Sequence, residues 1–151
     1  MTLTVEPGDP HAAQATALLR RSHALMESLF PPEDNFHLDI DALTAPHIAF
    51  FVAKQNDAIR GTAALADMGD YGEVKSMFVD EAARGLGVGV ALLTRLEQEA
   101  RAKRHVALRL ETGNRLDAAI SLYERAGFIR RGPFGDYPAA KTSVFMEKPL
   151  E

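Results

Sequence analysis

Three glycines at every second position, Gly85, Gly87 and Gly89, stand between an alternating segment and a helix-periodic one. The segment before them, GEVKSMFVD (Gly72–Asp80), alternates as a strand does. Val74, Ser76 and Phe78 fall on one side, and Glu73, Lys75, Met77 and Val79 on the other. The segment after them, VGVALLTRLEQEARAK, puts Leu92, Leu93, Leu96 and Ala100 on one helical face. Glu97 and Arg101 pair one turn apart on the wet face. A glycine inside a helix or strand costs roughly 0.5–1 kcal/mol relative to alanine. Three of them behind Arg84 therefore mark a place where backbone closely approaches something.

One candidate for that something is an anion. Exposed N–H groups, the positive end of a helix and a nearby guanidinium would together hold a pyrophosphate. The other is a turn that lets strand and helix pack tightly. Two familiar phosphate loops are excluded. Counted from Gly85, a P-loop puts Val90 where its second glycine belongs, with no Lys-Ser/Thr after it. A G-x-G-x-x-G fingerprint ends on Val90 or on Leu92.

The rest of the chain mixes strands and helices without a repeat or linker, so one domain over residues 1–151 is expected. TLTVE alternates as a first strand, and PGDP breaks it. His11–Leu29 has helical spacing in Leu18, Leu19, Met26 and Leu29, and Pro31-Pro32 ends it. EDNFHLDIDALTAP is polar and broken, with a short helix expected inside a loop. HIAFFVAK and TAALADM read as a hairpin around NDAIRG. HVALRLET is a strand, and LDAAISLYERAG is a helix closed by Gly127. FIRRG, a turn at Gly132-Pro133, and TSVFMEK finish with strands.

Composition narrows the function. A net charge of −4 argues against duplex nucleic acid, which needs a concentrated basic face. No apolar run approaches the roughly 20 residues of a membrane span. The start, MTLTVEPGDPH, has no signal-peptide pattern, so a cytoplasmic location is expected. Zero cysteines remove disulfides, thiolate metal sites and an acyl-cysteine intermediate. The five histidines show no i, i+4 pairing, and no metal is expected.

With its second motif, the chain resembles the GNAT (Gcn5-related) N-acetyltransferases. Their first core motif, [RQ]-x-x-G-x-[GA], stands as Arg84-Gly85-Leu86-Gly87-Val88-Gly89. Their second, A-x-x-L-Y-x-[KR]-x-G-F, stands as Ala119-Ile120-Ser121-Leu122-Tyr123-Glu124-Arg125-Ala126-Gly127-Phe128. Many members carry Asn three residues before the motif's alanine. That position is Leu116 here, and Asn114 lies two residues earlier. RLETGNR and PFGDYPAAKTSVFMEKPL resemble a bacterial subgroup of small acetyltransferases. The resemblance implies an α/β (α+β) fold. Its sheet is mixed and mostly antiparallel, of about six to seven strands, flanked by helices and splayed at the central strands.

It also implies acetyl-CoA as donor and an amine as acceptor, with a small-molecule amine expected. Backbone groups of Met77, Phe78 and Val79 would pair with the pantetheine amides, and the Met77 N–H would polarise the thioester carbonyl. Residues Arg84–Gly89 would hold the pyrophosphate. Tyr123 would protonate the departing thiolate or serve as a core aromatic. Arg125 would face solvent or a cofactor phosphate. Glu73, placed on the face of Met77, is the first candidate for the base, against a solvated Glu paired with Lys75. Glu111 is the second. Ser76 has no nucleophile motif around it, so direct transfer in a ternary complex is expected. Glu27, Glu33 and Asp34 would attract a cationic amine. His23 and His37 would bind a carboxylate or lie idle at the surface. Met26, Leu29, Phe30 and Phe36 would form apolar pocket or core, and Phe134–Tyr137 the opposite wall. Acetylation of a protein lysine or N-terminus, and a non-catalytic CoA sensor, are the rival functions. No nucleic-acid or membrane partner is expected, and a homodimer is left open.

Overall fold

The computed structural model describes residues 2–150. Among them a seven-stranded sheet runs in the order β1-β2-β3-β4-β5-β7-β6. The strands are β1 (Leu3–Pro7), β2 (Ile48–Gln55), β3 (Ala58–Asp67), β4 (Tyr71–Val79), β5 (Ala107–Gly113), β6 (Ile129–Arg131) and β7 (Ser143–Pro149). Every pairing is antiparallel except β4 with β5. The helices are α1 (Ala13–Leu29), α2 (Val88–Ala102) and α3 (Asp117–Arg125). The short helix expected after Pro32 is instead two 3₁₀ turns, Pro32–Asp34 and Asp41–Thr44. No helix of the described residues is long and apolar enough to cross a membrane.

The helices cover both faces of the sheet. Leu92, Leu96 and Ala100 of α2 and Ile120 and Tyr123 of α3 pack with Phe51, Leu65, Val74, Leu108, Leu110 and Met146. Ala15 and Leu19 of α1 cover the opposite face over Phe50, Val52 and Ala64. Full burial of a leucine contributes roughly 1.5–3 kcal/mol, so α2 is anchored chiefly by Leu92 and Leu96. Gly61 makes room for this anchoring, since a Cβ there would stand 2.7 Å from Val88.

Two irregularities of β4 shape the site. First, its register with β3 shifts. Thr62 faces Phe78, but Ala64 faces Lys75, so Ser76 and Met77 together oppose Ala63. Ser76 carries φ +52° at this bulge, and the Thr62 hydroxyl donates to its carbonyl at 2.8 Å. The bulge corrects the simple alternation read from the sequence. Val74, Met77 and Val79 pack on the α2 face, whereas Glu73, Lys75 and Phe78 take the α1 face. Glu73 and Met77 therefore do not share a face. Second, β4 pairs with β5 only over Tyr71–Glu73 against Ala107–Arg109. Beyond Glu73 the two strands separate while β5 stays paired with β7 as far as Gly113.

Candidate active site

The separation of β4 from β5 opens a cavity of about 100 Å³, lined by both strands and by α1 and α3. No β5 residue pairs with β4 from Val74 onward, so backbone groups of Ser76, Met77, Phe78 and Val79 on that edge lack a strand partner. Unpaired backbone groups are rare inside proteins and are met by solvent or ligand. A chain of amides such as pantetheine fits such an edge.

At the end of that edge the glycine segment divides by role. Gly85 and Gly87 carry φ of +84° and +81°, and a Cβ at either would meet nothing within 4 Å. Gly87 is the N-cap of α2, and no side chain caps the helix there. The first four N–H groups of a helix lack intrahelical acceptors. They open beside the exposed Arg84, Gly85 and Leu86, which suits a pyrophosphate. Gly89 is different. A Cβ there would lie 2.7 Å from Leu122 of α3, so this glycine lets the helices close together. Val88 is buried against Gly61. The packing explanation thus accounts for Gly89, while Gly85 and Gly87 face open space. Arg125 is exposed and lines a second cavity of about 210 Å³ between α2 and α3.

Tyr123 lies on α3 against Phe128 and reaches the first cavity. It is only 5% exposed, and burial pushes its hydroxyl well above the ordinary tyrosine range, with the Glu111 carboxylate adding to the effect. At neutral pH it remains a proton donor. Leu116, at the family's asparagine position, lines the same cavity. Asn114 faces elsewhere and donates to the Lys141 carbonyl at 3.4 Å.

The α1 side supplies the other wall. Ser22, His23, Met26 and Phe30 come from α1 and its end, and Asp34–His37 from the segment after it. The His23 and His37 rings stack with centroids 4.1 Å apart. Burial, then the neighbouring His37, holds His23 below the usual histidine value. Asn35 donates to the carbonyls of Phe30 and Pro31, which fixes the segment.

Glu111 lines the cavity from β5 and accepts a 2.7 Å hydrogen bond from the Ser143 hydroxyl. Burial raises its carboxyl above the ordinary range, and the nearby Glu73 and Asp34 carboxylates push the same way. Glu73 does not line the cavity. It is 5% exposed, accepts a hydrogen bond from the Tyr137 hydroxyl, and pairs with Lys75 Nζ at 3.3 Å. The pairing with Lys75 is thus present, but inside the protein rather than in solvent. Lys75 does line the cavity.

The acetyltransferase (GNAT) family model matches residues 15–128. The chain belongs to the GNAT acetyltransferase family. An IAA acetyltransferase of Azospirillum brasilense is 42% identical over 150 residues, covering 98% of each chain. Among solved structures, a Klebsiella pneumoniae protein assigned as an acyl-CoA N-acyltransferase is 32% identical. It has a TM-score of 0.82 over 99% of this chain and 98% of its own. The PaiA N-acetyltransferase of Thermoplasma acidophilum, in complex with coenzyme A, shares the fold at 15% identity. Its TM-score is 0.77 over 99% of this chain and all of its own.

As a GNAT domain the chain is an acyltransferase. The gap between β4 and β5 and the open N-terminus of α2 lie at the two ends of one edge, with backbone groups free to meet a ligand. Phe134 and Tyr137, expected as the opposite wall, do not line the cavity; Tyr137 instead bonds Glu73 and Lys75 behind it, a contact the sequence does not indicate. Sequence reasoning also missed the stacking of His23 on His37, for which no local pattern exists.

Proposed function

We propose that this chain transfers an acetyl group from acetyl-CoA to the primary amine of a small molecule, by direct attack in a ternary complex. One observation carries this proposal. Glu111 and Tyr123 line the same cavity from opposite faces of the sheet, at the gap where β4 leaves β5.

Acetyl-CoA supplies an activated acetyl thioester. The residues of the chain then handle the protons. An amine reaching the cavity is mostly protonated, with a pKa of about 10, and the carboxylates of Asp34 and Glu111 attract it. Glu111, raised by burial, takes one proton from the nitrogen, directly or through a water. The freed lone pair attacks the carbonyl carbon, whose oxygen the Met77 N–H is suited to stabilise. As the carbon–sulfur bond breaks, Tyr123 gives its proton to the sulfur. The acetylated nitrogen then loses its second proton through water to the tyrosinate, which restores Tyr123, and Glu111 returns its proton to solvent. Glu73, engaged by Tyr137 and Lys75, is replaced by Glu111 as the candidate base.

The covered wall supports a small acceptor. His37 stacks on His23, and Lys75 Nζ donates to the Phe36 carbonyl at 3.4 Å, which draws residues 34–37 over the cavity. A protein substrate needs an open groove. The name of the 42%-identical relative, an IAA acetyltransferase, points the same way. Thiol release from acetyl-CoA across a panel of primary amines and lysine peptides tests the proposal. Release with small amines and none with peptides is the expected result.

A further inference from the structure

Lys75 joins three separate segments beside the cavity. Its Nζ lies 2.7 Å from the Tyr137 hydroxyl, 3.3 Å from Glu73 Oε2 and 3.4 Å from the Phe36 carbonyl oxygen. An ammonium has three N–H donors, and these three acceptors use them all. Tyr137 in turn donates its own proton to Glu73, so the tyrosine is a donor on one side and an acceptor on the other. Its ring stands edge-on to Phe36, Phe134 and Phe145, which fixes the loop before β7 under the site. Lys75 and Glu73 are mostly buried, at 14% and 7% side-chain exposure. Burying a charge pair is costly unless its hydrogen bonds are satisfied, and here they are. Such a cluster, beside a reacting centre and outside the motifs, requires a use.

We propose that Lys75 is a positioning residue for the reaction. Clamped by Glu73 and Tyr137, its ammonium draws the Phe36 segment over the acceptor and keeps one positive charge beside the Glu111 carboxylate. The proposal rests on the assignment of Glu111 as the base. The groups around Glu111 are Glu73 and Lys75 from β4, Asp34 from the segment after α1, Tyr123 from α3 and Tyr137 from the loop before β7. The Ser143 hydroxyl donates from β7, and His23 of α1 lines the same cavity. Among the described residues lining the cavity, which also include the titratable His37, Lys75 is the only lysine or arginine. It opposes burial and the carboxylates, and so keeps Glu111 ionised, and able to accept a proton, at lower pH than it otherwise would be.

The test uses the sign of the charge. The acidic limb of kcat, at saturating amine and donor, reports the base in the ternary complex. In Lys75→Met that limb should move to higher pH by about one unit, as for loss of one nearby opposite charge. In Glu73→Gln it should move the other way, because a like charge has been removed. The KM for the amine should rise about tenfold in Lys75→Met while the Kd for acetyl-CoA stays put. Lys75→Gln serves in the same way if Lys75→Met does not fold. A limb that stays in place in these variants, yet disappears in Glu111→Gln, overturns the role of Lys75 alone. A limb that survives in Glu111→Gln overturns the base assignment, and this proposal with it.

Discussion

Gly89 and Leu122 are in contact: a Cβ placed on the glycine would lie 2.7 Å from a methyl of the leucine. Gly87, two residues earlier, faces open space at φ +81°. The two glycines should therefore fail differently. Gly89→Val forces α2 and α3 apart, at a cost of about 1–3 kcal/mol for an overpacked core. Calorimetry should show a lower Tm. Gly87→Ala strains a left-handed residue by about 1–2 kcal/mol and puts a methyl where backbone would meet the pyrophosphate. Titration calorimetry should show weakened acetyl-CoA binding. If Gly87→Ala binds acetyl-CoA as the wild type does, the segment is only a turn.

Tyr123→Phe keeps the ring against Phe128 and removes the hydroxyl. Donor Kd should change little, since the lost interaction matters only as charge develops on sulfur. The kcat should fall by roughly 10²–10⁴-fold, the range for a lost general acid. Loss of kcat and kcat/KM together marks a transition-state interaction. A solvent isotope effect checks that chemistry limits the rate. Near wild-type kcat would make Tyr123 a packing residue.

Glu111→Gln keeps an acceptor for the Ser143 hydroxyl and removes the charge. Turnover should drop at least about 10²-fold. Stability should move in the opposite direction. A carboxyl whose folded pKa is raised binds more protons folded than unfolded. Its contribution is present at low pH and is lost as pH rises through the folded value. Differential scanning calorimetry should thus show a higher Tm for Glu111→Gln at pH 7, and a smaller gain at pH 4.

His23 predicts an acid-side effect. Its folded pKa is depressed, so stability is present above the unfolded value of about 6.5 and is lost as pH falls below it. Wild-type Tm should decline between pH 7 and pH 5 more steeply than that of His23→Gln. Parallel declines would show that the His23–His37 stack tolerates protonation.

Much of the fold is legible in local pattern, because each strand and helix buries a face that alternation or helical spacing marks. Leu92, Leu96 and Ala100 fall on the core side of α2 as expected. The separation of β4 from β5 follows from the family resemblance, and the structure has it. The side of the sheet on which Glu73 lies is different. It depends on a bulge at Ser76, a non-glycine residue at φ +52°, and only the pairing of Thr62 and Ala64 across the sheet reveals it. The Tyr137–Glu73 contact spans 64 residues and rests on how the loop before β7 packs. The raised carboxyl of Glu111 depends on burial, which a half-polar strand such as ALRLETG does not announce.

The most direct measurement is amine-dependent thiol release from acetyl-CoA by the wild-type chain, with mass spectrometry of the amine. It should be made alongside calorimetric titration of acetyl-CoA. Donor binding, stoichiometric thiol release and an amine carrying one added acetyl group are the predicted results. Donor binding without thiol release at any amine would contradict acetyl transfer and leave a protein that only senses coenzyme A.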